Sequence, residues 1–180
     1  MHRLFVAIEI PEIVADVLST IQYGVDGARW RAADSFHLTL AFIGETDRHG
    51  LTNAIEALSE IDAPAFELRL KGVDFFGDRQ PRALWAGVEA SPALNHLQSK
   101  AEQALRRTGF NIEKRKFKPH VTLAYLRNVT QDTAAQFSVE HGLFSCGPFP
   151  VNEFHLYSSQ LGNSASVYEI EASYALSSSM

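Results

Sequence analysis

Residues 37–41 read His-Leu-Thr-Leu-Ala, and residues 120–124 read His-Val-Thr-Leu-Ala. Seven histidines and eight threonines in 180 residues predict His-x-Thr less than once by chance, yet it occurs twice, each time followed by Leu-Ala. Both copies sit in short apolar runs with the alternation of a β-strand. A period of two puts His37 and Thr39 on one strand face and Leu38 and Leu40 on the other; His120 and Thr122 stand in the same relation to Val121 and Leu123. Each strand therefore offers one imidazole and one hydroxyl opposite an apolar face. Two imidazoles titrating near neutrality can take a proton from an attacking oxygen and return one to a leaving oxygen. Two hydroxyls can hold the non-bridging oxygens of a phosphoryl group as charge builds on them. A catalytic zinc site takes three protein ligands. Two histidines, one cysteine (Cys146) and no His-Glu-x-x-His pattern leave that site short, so the expectation is chemistry without metal or cofactor.

The two motifs lie 83 residues apart, which suggests an internal duplication folded about a pseudo-twofold axis, with the His-Thr pairs meeting across a groove. The elements that must position them read as follows. Residues 3–9 form a buried strand, and Pro11 opens a helix with Ile13, Val14, Val17, Leu18 and Ile21 on its apolar face, closed by Gly24. Residues 36–43 form the first motif strand. Thr46 or Asp47 caps a second helix carrying Leu51, Ala54, Ile55, Leu58 and Ile61. Residues 66–71 and 83–89 form a hairpin about the turn at 77–81. Ser91 and Pro92 start a third helix that ends at Gly109. Residues 120–126 form the second motif strand, and 149–157 with 166–176 a last hairpin. The stretch 128–147 has too weak a pattern to place. Hairpins outnumber crossovers, which favours an α+β fold with antiparallel sheets.

Composition bounds the rest. The chain has no apolar run long enough to span a bilayer, and a single cysteine excludes an internal disulfide. Acidic residues follow the short apolar N-terminus at once, against a signal peptide. A cytoplasmic monomer of one domain, residues 1–180, is the expectation. The net charge of −5 argues against a protein that coats long nucleic acid. Yet Lys114, Arg115, Lys116 and Lys118 form a cationic stretch leading into His120, suited to guiding an anionic ligand to the groove. His2, His49, His96 and His141 read as surface residues, His155 as packed or at a sheet edge. Trp30 and Trp85 read as core or cleft wall, and Arg31 as either solvated or reaching an anion.

Paired His-x-Thr motifs mark the 2H phosphoesterase superfamily. The segments RLFVAIEIP (3–11), RWRAADSFHLTLAFIGE (29–45), FKPHVTLAYL (117–126) and FHLYSSQL (154–161) resemble its bacterial RNA 2′,3′-cyclic phosphodiesterases, also called 2′-5′ RNA ligases. The resemblance implies a bilobal α+β fold, with two antiparallel sheets about a pseudo-twofold axis, a central cleft, and helices on the outer faces. It implies opening of a terminal RNA 2′,3′-cyclic phosphate to a 2′-phosphate, with reversible 2′-5′ ligation. It makes His37 the proton donor to the 3′ oxygen and His120 the acceptor from water, with Thr39 and Thr122 on the phosphate. It also makes Phe42, five residues after the first His, a base-stacking ring, provided the strand bulges. Where the family has arginine five residues after the second His, this chain has Tyr125, with Arg127 two residues on. Either Arg127 shares the groove face and replaces the missing guanidinium in part, or Tyr125 binds the substrate itself by donating its hydroxyl. Two other readings stand: a 2H phosphodiesterase of a small cyclic nucleotide or 2′-5′ oligonucleotide, and a non-catalytic binder of RNA ends.

Overall fold

A computed structural model describes residues 1–178. Nine strands and four helices follow in the order β1 (His2–Glu9), α1 (Glu12–Ser19), β2 (Ala28–Trp30), β3 (His37–Thr46), α2 (Arg48–Ser59), β4 (Phe66–Phe76), β5 (Ala83–Val88), α3 (Pro92–Arg107), β6 (His120–Leu126), α4 (Gln131–Glu140), β7 (Ser145–Val151), β8 (Glu153–Leu161) and β9 (Ser166–Ala175). The strands run β7-β4-β5-β6-β3-β1-β8-β9, with β2 beside β6, and every pair of neighbouring strands is antiparallel.

That order mirrors itself about its centre. Outward from the β6–β3 junction, β5, β4 and β7 match β1, β8 and β9. Helix α3 follows β5 as α1 follows β1, and α4 follows β6 as α2 follows β3. The two expected sheets are thus two four-stranded lobes, β2 being extra, hydrogen-bonded into one path. They join through a single residue pair, Leu38 opposite Val121, and both of these side chains are fully buried. Continued one residue either way, the antiparallel register sets His37 across from Thr122 and Thr39 across from His120.

The core lies between the sheet and the helices. Leu4, Val6 and Ile8 of β1, Leu38 and Leu40 of β3, and Val121 and Leu123 of β6 meet Val14 and Leu18 of α1 and Leu94, Leu97 and Leu105 of α3. Capping sets the helix starts. The Asp47 carboxylate accepts from the Gly50 N–H at 2.8 Å, and the Ser91 hydroxyl accepts from Leu94 at 3.1 Å, each satisfying a donor the helix cannot.

Two expectations are corrected and one unplaced stretch is filled. Helix α1 stops at Ser19 rather than running to Gly24; Ile13 and Val17 are exposed, while Ile21 packs into the core from the turn that follows. The stretch expected as one strand, 149–157, is two: β7 pairs with β4, and after Asn152 β8 pairs with β1. The unplaced stretch 128–147 holds α4 and the start of β7; α4 buries only Ala134 and Phe137, too short a stripe to read as a period.

Both motif strands break their alternation at the same point. Opposite β1, Ala7 pairs with Thr39 and Val6 with Ala41, so Leu40 is an extra residue. Opposite β5, Trp85 pairs with Thr122 and Leu84 with Ala124, so Leu123 is extra. The two seven-residue segments share one burial pattern: half-buried, buried, half-buried, buried, buried, exposed, half-buried. A β-bulge leaves backbone groups outside the ladder, and a buried carbonyl needs a donor. The Leu40 carbonyl accepts from the Gln98 side-chain amide of α3 at 3.4 Å. The Leu123 carbonyl accepts from the Gln22 amide at 3.1 Å and from the Arg31 N–H at 2.8 Å. Gln98→Leu removes the side-chain donor to the first bulge. It is expected to cost about 1–3 kcal/mol in denaturant unfolding and to lower turnover, whereas a loss under about 0.5 kcal/mol would show that the bulge holds itself.

Candidate active site

The bulges decide which side chains share the cleft. With one extra residue between the threonine and the ring of each strand, parity flips after Leu40 and after Leu123. Phe42 and Tyr125 then fall on the face of the histidines rather than in the core. Both line one cleft of about 360 Å³ together with His37, Thr39, His120 and Thr122. This is the bulge that a base-stacking role for Phe42 required.

The two imidazoles are held alike. His37 Nδ1 lies 2.9 Å from the Ser35 carbonyl, and His120 Nδ1 lies 2.7 Å from the Lys118 carbonyl. A carbonyl only accepts, so each Nδ1 carries the proton and donates it. In the neutral ring Nε2 is then the free base.

Their surroundings differ. His37 sits in an aromatic nest. The Phe5 ring is 4.9 Å from it, Tyr168 is edge-on at 5.2 Å, and Tyr157, stacked on Phe5, is at 6.2 Å. Burial there drives its pKa down to about 4; the Ser35 hydrogen bond opposes this, while the charges of Arg31 and His120 add to it. His120 lies edge-on to Phe76 at 4.8 Å and 5.9 Å from Trp85. Burial is again the main cause of a lowered pKa, with the Lys118 carbonyl opposing it and the Lys118 charge assisting. Low-dielectric surroundings penalise imidazolium in both places, so in the free protein both rings are neutral at pH 7.

The cations are arranged differently from expectation. Arg127 is exposed, one residue beyond the end of β6; its N–H donates to the Gly27 carbonyl and it does not line the cleft. The expected sharing of a face fails because the bulge and the strand end intervene. Arg31, one residue past β2, lines the cleft instead. Its guanidinium lies 5.4 Å from the Tyr125 ring centre and donates to the Tyr168 hydroxyl at 2.9 Å. Arg3 also lines the cleft. Lys118 is exposed beside it, with its ammonium 5.2 Å from the Trp85 ring centre and 5.5 Å from that of Phe76. Sequence reasoning missed Phe5, Tyr157, Tyr168 and Phe76. Residues 3–9 read as a strand buried throughout, so nothing local marked the side of Phe5 as the cleft.

The family model described as the 2′-5′ RNA ligase superfamily matches residues 11–163. The chain belongs to that superfamily. Similar proteins named RNA 2′,3′-cyclic phosphodiesterase include one from Archaeoglobus fulgidus, 29% identical over 93% of this chain and 96% of its own. Another, from Aeropyrum pernix, is 32% identical over 76% of this chain and 79% of its own. Among solved structures, Escherichia coli LigT complexed with 3′-AMP superposes with a TM-score of 0.79 at 26% identity, over 97% of this chain and 98% of that one. A protein from Thermus thermophilus superposes at 0.80 with 25% identity, over 97% of each chain. These superpositions agree with the bilobal α+β architecture expected of a superfamily member. Among the described residues, no helix is long and apolar enough to cross a membrane, and no three His, Cys, Asp or Glu side chains are grouped to hold a metal ion.

The electrostatics are directly testable. Imidazole NMR titration of the free protein is expected to give His37 a midpoint near 4 and His120 one below the ordinary 6.5. A His37 midpoint at or above 6.5 would contradict the nest as its cause.

Proposed function

We propose that residues 1–180 act as one catalytic unit that opens 2′,3′-cyclic phosphates at RNA ends to 2′-phosphomonoesters. The observation that carries this reading is the pair of imidazoles on one cleft, each with Nδ1 committed to a backbone carbonyl and Nε2 free. The similar proteins named for this activity support it. Water attacks phosphorus as His120 Nε2 takes its proton; the bond from phosphorus to the 3′ oxygen breaks as His37 protonates that oxygen. Thr39 and Thr122 donate to the non-bridging oxygens. Arg31 and Arg3 supply the positive field for the anion, a part sequence reasoning gave to Arg127. Phe42 stacks the base of the terminal nucleoside, and Lys118 draws the RNA toward His120.

The reaction needs His37 protonated and His120 neutral. In the free protein the protonated fraction of His37 falls as pH rises above about 4. A bound phosphodiester anion favours the imidazolium and raises that pKa. The kcat/KM optimum, which reports the free protein, is therefore expected below pH 6.5, and the kcat optimum at higher pH. Coincident optima at or above pH 7 would refute the assignment.

Turnover of adenosine 2′,3′-cyclic phosphate tests the whole reading. His37→Ala and His120→Ala are each expected to lose roughly 10²–10⁴-fold, and the double variant far less than the product of the two. Arg31→Ala raises KM, while Arg127→Ala stays close to the parent. Dialysis against a strong chelator leaves the rate intact. Full activity in either histidine variant, or activity restored only by added metal, would sink the proposal.

A further inference from the structure

Two arginines tie the outermost hairpin to the opposite lobe. β2 lies beside β6 in one lobe, and β9 ends the sheet in the other. Arg29 of β2 nevertheless donates to the Ser164 carbonyl in the turn between β8 and β9, and Arg31 donates to the Tyr168 hydroxyl of β9 at 2.9 Å. Tyr168 is thereby held on the cleft that His37, Thr39 and Thr122 line. Its ring is edge-on to His37 at 5.2 Å and to Phe5 at 5.4 Å. The hydroxyl is only half used. A guanidinium can only donate, so the phenol oxygen accepts and the phenol keeps a proton of its own to give. Among the described residues no group accepts that proton. Burial raises the phenol's pKa by more than Arg31 lowers it, so the hydroxyl stays protonated through neutral pH. The guanidinium itself is taken up between two rings, 5.4 Å from the centre of Tyr125 and 5.8 Å from that of Tyr168. A hydroxyl with a fixed cation behind it is a stronger donor than a hydroxyl alone.

We propose that Tyr168 is a third hydroxyl of the catalytic cleft, donating to a non-bridging phosphate oxygen beside His37, with Arg31 polarising it from behind. This rests on the proposed function and deepens it. Thr39 and Thr122 bring one proton each to two oxygens that both gain charge as water adds to phosphorus, and Tyr168 brings another. Its proton stays on the phenol throughout. The hydrogen bond tightens as charge builds and relaxes as the 3′ oxygen leaves with the proton of His37. Arg31 then acts on the anion in part through Tyr168.

Tyr168→Phe tests this, because it removes the hydroxyl and keeps the ring that packs on His37 and Phe5. On adenosine 2′,3′-cyclic phosphate kcat is expected to fall about 10²-fold, the loss of one donor to a developing oxyanion, with KM close to the parent's. The His37 midpoint in NMR titration should stay near 4. Sulfur accepts hydrogen bonds weakly, and the two isomers of adenosine 2′,3′-cyclic phosphorothioate each replace one non-bridging oxygen by sulfur. The loss in Tyr168→Phe should therefore shrink for one isomer only. Arg31→Ala combined with Tyr168→Phe should cost less than the product of the single losses. A parent-like kcat in Tyr168→Phe, an equal loss on both isomers, or a double variant that loses the full product would each overturn the inference. Titration of the parent protein with inorganic phosphate needs neither turnover nor a variant: the Tyr168 Cζ signal is expected to shift and saturate, and an unmoved signal would overturn the contact. A parent protein whose Tyr168 signal responds to phosphate but which opens no cyclic phosphate would instead overturn the proposed function.

Discussion

A strict β-strand cannot place residues i, i+2 and i+5 on one face, because its side chains alternate. This cleft needs all three, an imidazole, a hydroxyl and a ring, on each of two strands. One extra residue between the hydroxyl and the ring resolves the conflict, at Leu40 in one strand and Leu123 in the other. Each bulge frees a carbonyl that water cannot reach, and each is met by a glutamine amide. These amides come from Gln98 and Gln22, 58 and 101 residues away in the chain. Helix α3 and the turn after α1, on the back of the sheet, therefore do more than cover its apolar face. They hold open the irregularity from which the functional face is built.

The second constraint is the junction. Only Leu38 and Val121 pair across it, and the four polar motif residues are their immediate neighbours in the chain. A tight apolar contact on the core side thus sets the separation of the reacting groups on the cleft side. The lobes then supply unequal environments. His37 lies among Phe5, Tyr157 and Tyr168 with Arg31 nearby; His120 lies against Phe76 and Trp85 with Lys118. Two imidazoles nearly identical in sequence context are each lowered in basicity by different neighbours, His37 to about 4. An acid that holds its proton weakly until an anion arrives gives it up readily to a leaving oxygen.

Much of this was legible in the chain. The repeated motif, the apolar faces and the caps at Asp47 and Ser91 follow from local chemistry, and so do most strand and helix positions. What escaped depends on partners distant in sequence. The bulges are set by the strands opposite and by two glutamines on other elements. The change of neighbours at Asn152 leaves β-alternation intact on either side, so 149–157 reads as one strand. Helix α4 buries two residues and gives no period. Arg31 could not be preferred over Arg127 until β2, only three residues long, was seen to run beside β6.

The central claim is a division of labour, His37 as acid and His120 as base, and the most direct measurement bypasses one of them. Replacing the bridging 3′ oxygen of the cyclic phosphate by sulfur gives a leaving group that departs as thiolate and needs no proton. With this substrate His37→Ala is predicted to recover most of the parent rate, while His120→Ala stays as slow as with the oxygen substrate. Rescue of His120→Ala instead would reverse the roles, and rescue of neither would contradict acid catalysis at the 3′ position.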